Sequence, residues 1–377
     1  MLLEDFLAKK PLFYDEIDYT RMPRIYEKVK THLPQPHIIH IIGTNGKGTT
    51  GRFLASAMHT LGFSVGHYTS PHILKFNERV WLNGRDVNDE LLEDAHKKLQ
   101  GILDKVDADA LSYFEYTTLL AMVVYDGCDF VVMEAGLGGE YDATAVFEKI
   151  LTLVTPISYD HEAFLGSSLK EIATTKLNAI QKNAIVAKQD AEVYEVINSL
   201  DAEIKIYDEL LDAQDMIKIQ KISEELNLQE YLVENLKLSV AALKFLDIDY
   251  DEKSFNNSKL FGRCTSFREN IVVDVGHNPL AAKAILNSLS PDKYVLVYNS
   301  YKDKEYKKIL TILKPIIKRV EIIELEDKRV EVISKLQMVL KDLEIKYSIY
   351  KGTTQDENYL VFGSFSVVEA FMKGQNV

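Results

Sequence analysis

Two periods of hydrophobicity alternate along the first third of the chain. His37-Ile38-Ile39-His40-Ile41-Ile42 is a short β-branched run that stops at Gly43, the pattern of a buried strand. From Thr49 to Leu61 the apolar residues Phe53, Leu54, Ala57, Met58 and Leu61 fall at helical spacing, and Gly62 stands where a C-terminal cap is expected. Ser64 to Tyr68 reads as the next strand. Strand, loop, helix and strand in that order make a βαβ unit, which predicts a parallel sheet. Phe76 to Val80, followed by the Asn83-Gly84 turn, reads as a short hairpin. Asn88 caps a predicted helix running to about Val106, and another covers about Phe114 to Tyr125. Phe130-Val131-Val132-Met133 is an apolar strand ending at Glu134, and Ile150 to Thr155 is a further strand stopped by Pro156.

The pattern changes after Leu246. Asp247 to Leu260 is acidic, then rich in Asn and Ser, and its end reads as a linker. The β/α alternation then restarts, with strands predicted at Ile271–Val275, Tyr294–Tyr298, Val320–Glu324, Lys346–Tyr350 and Tyr359–Phe362. The expectation is an α/β protein of two domains. Residues 1–258 would form an N-terminal phosphate-loop domain with a mostly parallel sheet, and 259–377 a smaller Rossmann-like α/β domain. The length of 377 residues admits two or three domains.

Composition narrows the function classes. At 46% hydrophobic and 27% charged, the chain has apolar surface enough to offset chain entropy. Acidic residues exceed basic ones, 57 against 44, for a net charge of −13. That disfavours non-specific binding to nucleic acid or to anionic membranes, while leaving room for a locally positive phosphate pocket. Cys128 and Cys264 lie far apart and form neither a disulfide scaffold nor a zinc-spacing motif. No apolar stretch is long enough to span a bilayer and no secretory signal is visible, so the expected location is the cytoplasm.

The candidate chemistry centres on Gly43-Thr44-Asn45-Gly46-Lys47-Gly48-Thr49. The segment leaves a strand and opens a helix, where backbone N–H groups and a helix N-terminus can cradle phosphates. Gly43, Gly46 and Gly48 permit close approach of the backbone, Lys47 supplies charge for the β- and γ-phosphates, and Thr49 offers a hydroxyl near phosphates and metal. An extra glycine separates Lys47 from Thr49, a departure from the common phosphate-loop pattern. Glu134, at the end of a buried strand, suits a hard cation, with a capping or ion-paired Glu as the lesser alternative. Taken alone, His161 reads as structural, Ser70 as a turn residue before Pro71, and Lys176 as a surface lysine on a helical stretch. Phe114 and Glu115 read equally as core Phe and helix-surface Glu, or as a ring and a carboxylate for a flat amino-heterocycle.

The loop with its extra glycine resembles that of the folylpolyglutamate synthase and dihydrofolate synthase family, a branch of the Mur-ligase superfamily. The likeness continues in order through Tyr68-Thr69-Ser70-Pro71-His72, Asn77-Glu78-Arg79-Val80, Tyr113-Phe114-Glu115-Tyr116 and Glu134-Ala135-Gly136-Leu137-Gly138-Gly139. It extends through Asp142-Ala143-Thr144, Asp160-His161, Lys176, Asp274-Val275-Gly276-His277-Asn278-Pro279 and Phe362-Gly363-Ser364-Phe365.

The resemblance implies an ATP-dependent ligase that joins L-glutamate to dihydropteroate, giving dihydrofolate, and to reduced folates, through an acyl phosphate. It implies Mg²⁺, as two ions, and admits a monovalent cation. Ser70, Glu134 and His161 become metal ligands, with Lys176 carbamylated to hold the second ion. Lys47, Lys176 and His161 become the catalytic set, and Gly43 to Thr49 with Asn235, Arg263, Asp274 and His277 become nucleotide contacts. Phe114, Glu115, Tyr141, Asp142 and Ala143 become substrate contacts. The family's partners are the pterin acid and glutamate, and its members are usually monomers.

Several positions depart from the family pattern. Glu140 replaces its usual Arg, Ala145 its usual Asn, and Tyr231-Leu232 its His-Gln pair. Leu177-Asn178-Ala179-Ile180 stands for its Ala-Gly-Ile run, and Ile17 to Met22 only loosely matches its Leu-Gly-Leu-x-Arg segment, which helps dihydropteroate binding. Three alternatives stay open on sequence: a folylpolyglutamate synthase only, a Mur-type ligase acting on a cell-wall precursor, and a nucleotide-driven switch.

Overall fold

The computed structural model describes residues 1–11 and 18–375; Ile17, the first residue of the loosely matching N-terminal segment, lies outside them. The chain divides into two compact units. One comprises Met1–Leu228 with Leu232–Lys259, the other Gln229–Tyr231 with Leu260–Val377.

Apolar runs become the strands of the first unit: β1 (His37–Ile42), β2 (Val65–Tyr68), β3 (Val80–Leu82), β4 (Arg85–Asp86), β5 (Phe130–Glu134), β6 (Leu151–Val154), β7 (Asn183–Val186) and β8 (Glu203–Ile206). They form one sheet in the order β4-β3-β2-β5-β1-β6-β7-β8. β2, β5, β1, β6, β7 and β8 run parallel, while β3 and β4 add antiparallel pairs at one edge. Alternation along β1 and β5 sends Ile38, Val131 and Met133 into one core and Ile39, Ile41 and Val132 into another. Both faces of the sheet are therefore covered, as parallel sheets require. β1 and β5 end together, with Ile41 opposite Glu134, so the phosphate loop and the strand-end carboxylate open on the same edge.

Local contacts corrected two readings. Phe76–Arg79 is a 3-10 turn, and the hairpin about Asn83-Gly84 joins β3 to β4. The Glu78 carboxylate accepts the N–H groups of Ile73, Leu74 and Lys75, which curls that stretch before a strand can form. The helix capped by Asn88 stops at Ile102, because Leu103 is extended and Asp104 caps a separate helix, Lys105–Ala110. Tyr250 and Phe255, in the stretch ahead of the expected linker, are buried in the first unit's core, and the first unit runs on to Lys259.

The second unit is a six-stranded sheet of β9 (Thr265–Arg268), β10 (Ile271–Val273), β11 (Tyr294–Tyr298), β12 (Ile317–Ile322), β13 (Tyr347–Ile349) and β14 (Tyr359–Val361). Its order is β13-β12-β11-β14-β10-β9, and β9 alone is antiparallel to its neighbour. β10 stops at Val273, two residues short of the expectation, as Val275 donates to Gly262 instead of a ladder partner. No helix among the described residues is long and apolar enough to cross a membrane.

Candidate active site

The phosphate loop begins where β1 ends. Gly46 caps the helix Lys47–Thr60 in the left-handed region, φ 90°, a conformation that glycine adopts at little cost. A Cβ there would also meet Oδ1 of Asn235 at 2.3 Å. Asn235 thus backs the loop, and its Oδ1 accepts from Thr50 Oγ1 at 3.5 Å. Thr44 anchors the other side: its N–H donates to Pro156 and its hydroxyl to the Ser158 carbonyl, each at 3.0 Å. Lys47 Nζ donates to the Thr44 carbonyl at 3.2 Å and lies 3.8 Å from Oε1 of Glu134. The hydroxyl of Thr49 is buried with no hydrogen-bond partner among the described residues.

Glu134 is buried at the end of β5, where Oε2 accepts from the Thr69 hydroxyl and from the Ser70 N–H, the latter at 3.2 Å. The Ser70–Pro71 peptide is cis. Lys176, buried on the helix Leu169–Leu177, donates to the Gly43 carbonyl at 3.0 Å. Burial and the nearby Lys47 charge push its pKa down to about 7, against the pull of Asp160 and Asp142. His161 sits in the left-handed region, φ 53°, with its side chain 41% exposed and Nε2 3.8 Å from Asp160 Oδ2.

The substrate candidates form a second group on the same unit. The Phe114 ring lies over Gly136, where a Cβ would come within 2.6 Å of Cζ, and its centroid is 5.8 Å from that of Tyr68. Glu115 is the third residue of a capped helix: its Oε2 accepts from the Ser112 N–H and from Arg21 Nε, both at 2.7 Å. Tyr141 is exposed and faces Tyr19 across 4.6 Å, beside a cavity of about 180 Å³ also lined by Met22, Tyr26 and Glu140. Asp142 is buried under that turn. It accepts from the N–H groups of Leu137 and Thr144 and from the Thr144 hydroxyl, and burial raises its pKa. Ala143 is buried beside it.

In the second unit Asp274 is buried, and burial raises its pKa against the pull of Arg263. It accepts from the Cys264 N–H at 2.8 Å, the Tyr231 hydroxyl at 3.0 Å and the Gly276 N–H at 2.7 Å. Tyr231, one of the departures from the family pattern, thus partners the candidate ribose carboxylate. Arg263 lies over the Phe365 ring at 5.3 Å, and His277 Nδ1 is 3.2 Å from the Val275 carbonyl.

The structure brings Gly43, Lys47, Ser70, Glu134 and Lys176 into one linked set. Among the described residues no group of three or more His, Cys, Asp or Glu side chains is arranged to hold a metal. The donors that fit a hard cation are oxygens: the unpartnered Thr49 hydroxyl and the buried Glu134 carboxylate beside Lys47. An unmodified Lys176 amine is not such a donor. In the sequence Thr69 and Arg79 stand out only as members of motifs. Their contacts, to Glu134 and to His72, connect residues 65 and seven positions apart and left no periodic signal.

A phosphate loop at the carboxyl edge of a mostly parallel sheet, with a smaller parallel α/β unit following it, is the two-domain plan of Mur-ligase-like enzymes. No family model matches the chain. It is 38% identical to the Helicobacter pylori folylpolyglutamate synthetase of known crystal structure, covering 99% of this chain and 98% of that one with a TM-score of 0.80. It is 29% identical over 421 aligned positions to the dihydrofolate synthase/folylpolyglutamate synthase of Haemophilus influenzae, covering 97% and 95% of the two chains. A bifunctional folylpolyglutamate synthase/dihydrofolate synthase crystallised with Mn, AMPPNP and L-glutamate shares its fold, with a TM-score of 0.84, 23% identity and coverage of 100% and 98%. The chain belongs to the dihydrofolate synthase/folylpolyglutamate synthase family.

Proposed function

We propose that the protein is an ATP-dependent ligase that joins L-glutamate to dihydropteroate and to reduced folates. The observation that carries the reading is Lys47, set on the phosphate loop 3.8 Å from the strand-end carboxylate of Glu134. A carboxylate is a poor acylating agent. Its oxygen must first attack the γ-phosphorus of ATP, breaking the bond to the β-phosphate and releasing ADP. Two anions meet in that step, and Lys47 with the loop N–H groups offsets their repulsion. The uncharged amine of glutamate then attacks the acyl carbon, phosphate leaves, and the amine's proton passes to solvent or phosphate. Phe114 and Tyr141 would hold the pterin acid and exclude water, with Glu115, Asp142 and Ala143 fixing the walls behind them.

Ser70, Glu134 and His161 are the residues that would hold Mg²⁺, with a carbamylated Lys176 for a second ion; the metal supplies charge neutralisation at the phosphate oxygens. Thr44, Asn45 and Asn235 would serve the nucleotide from the first unit, and Arg263, Asp274 and His277 are its proposed contacts in the second. The N-terminal unit would thus carry ATP hydrolysis chemistry and pterin binding, the C-terminal unit nucleotide and glutamate contacts. A monomer acting in the cytoplasm is the state proposed, and a monovalent cation remains a candidate cofactor. The cited Mn–AMPPNP–glutamate complex supports the ligand set by likeness. Release of ADP with dihydropteroate present, measured with and without glutamate, tests the reading: sustained turnover should require both, and glutamate-independent hydrolysis would favour a nucleotide switch.

A further inference from the structure

A buried guanidinium with no carboxylate partner among the described residues stands beside the site described above. Arg79 closes the 3-10 turn Phe76–Arg79 ahead of β3 and is 9% exposed. Its Nε donates to Nδ1 of His72 at 2.8 Å, and its guanidinium carbon lies 5.4 Å from the centre of the Tyr113 ring. Among the described residues these are its side-chain partners, and its terminal nitrogens are not among the buried atoms sealed from solvent without a hydrogen bond. Neither partner neutralises it. An imidazole that accepts at Nδ1 is the uncharged tautomer, and burial keeps the Tyr113 phenol protonated. A cation largely withdrawn from water, with its terminal nitrogens still within reach of a ligand, is stabilised when an anion joins it. The free face of a guanidinium matches a carboxylate through two parallel hydrogen bonds.

Its neighbours say which molecule would bring that carboxylate. The Arg79 carbonyl accepts the Thr69 N–H at 3.0 Å, and the Thr69 hydroxyl donates to Glu134. Tyr113, under the guanidinium, precedes Phe114 on the same helix. Arg79 is thus tied on one side to the segment at Glu134 and on the other to the proposed pterin wall. We infer that Arg79, backed by His72, binds a carboxylate of the acid substrate that does not react: the α-carboxylate of an acceptor already bearing a glutamyl tail. The reacting carboxylate is the poorer match, because a guanidinium fork would draw charge from both of its oxygens and weaken the one that must attack phosphorus. That group also loses its carboxylate charge in the acyl phosphate, whereas a spectator carboxylate keeps its charge throughout. Dihydropteroate has only the reacting carboxyl, so Arg79 would favour the tailed acid.

This inference rests on the ligase reading, and kinetics with three acids separate the two. The full chain would be assayed with ATP, Mg²⁺ and glutamate on dihydropteroate, on tetrahydrofolate, and on a tetrahydropteroyl acid ending in γ-aminobutyrate, which keeps the reacting carboxyl and lacks the α-carboxylate. Arg79→Gln should lower the ratio of kcat/KM for tetrahydrofolate over dihydropteroate by at least about tenfold, mainly through KM, and Arg79→Lys should recover part of it. The unsubstituted protein should disfavour the γ-aminobutyrate acid by a similar factor, which Arg79→Gln should erase. Equal loss on both natural acids would overturn the assignment. So would indifference of the unsubstituted protein to the α-carboxylate, a comparison that decides the matter even if Arg79→Gln fails to fold. Failure of the unsubstituted protein to turn over any of the acids would instead overturn the ligase reading, and this assignment with it.

Discussion

Lys176 Nζ donates to the carbonyl of Gly43 across 133 positions of sequence, at 3.0 Å. A buried amine is thereby fixed against the first residue of the phosphate loop. Burial and the charge of Lys47 bring its pKa down to about 7, so the uncharged amine, the form that reacts with CO₂, grows as pH rises through that value. Initial rates in CO₂-free buffer should fall at least severalfold, and bicarbonate should restore them more effectively at pH 8 than at pH 6. Lys176→Met should be slow and unresponsive to bicarbonate. A full rate in CO₂-free buffer would rule out carbamylation.

Lys47 is the residue proposed to carry the charge balance of the phosphoryl step. Lys47→Ala should reduce acid- and glutamate-dependent ADP release by at least about a hundredfold. Far-ultraviolet circular dichroism should show the helix content retained, because among the described residues the Lys47 side chain makes one hydrogen bond, to Thr44. Near-normal turnover would remove the phosphate loop from the mechanism.

Thr69 acts on Glu134 rather than on substrate. Its hydroxyl donates to the same carboxylate oxygen that receives the Ser70 N–H. Thr69→Val keeps the shape and removes the donor, leaving the carboxylate less well oriented. The Mg²⁺ concentration for half-maximal rate should rise roughly tenfold or more, with a smaller change in the rate at saturating metal. An unchanged metal requirement would mean that Glu134 does not bind the ion.

Glu115 separates a structural from a recognition role. Its carboxylate closes a capping box with Ser112 and pairs with Arg21. Glu115→Ala should therefore lower the unfolding free energy by about 1–3 kcal/mol in urea titration. Glu115→Gln, which can still accept from the Ser112 N–H, should lose less stability. A raised KM for dihydropteroate in Glu115→Gln at near-native stability would identify direct contact with the pterin.

The sequence made the scaffold of the first unit legible where one strong local signal dominates. The β-branched run His37–Ile42, the glycines before Lys47 and the apolar strand ending at Glu134 each declare themselves within ten residues. Their meeting at one sheet edge follows from the βαβ rule. The Asn83-Gly84 hairpin formed, but the strand expected from Phe76 did not, because Glu78 gathers three N–H groups, a side-chain effect that no hydrophobic period reveals. β7 and β8 were missed because Asn183-Ala-Ile-Val and the half-exposed Glu203-Ile-Lys-Ile lack the apolar density of the central strands.

By itself the sequence determined the family, the phosphate loop and the carboxylate at the end of β5, since each is written in contiguous residues whose backbone chemistry is local. Only the tertiary structure decided that Thr69 serves Glu134, that Lys176 reaches Gly43, that Tyr231 partners Asp274, and that Arg79 is buried with no carboxylate among the described residues. Those relations depend on desolvation and hydrogen-bond satisfaction among residues brought together by folding, and neither is expressed in the order of residues along the chain.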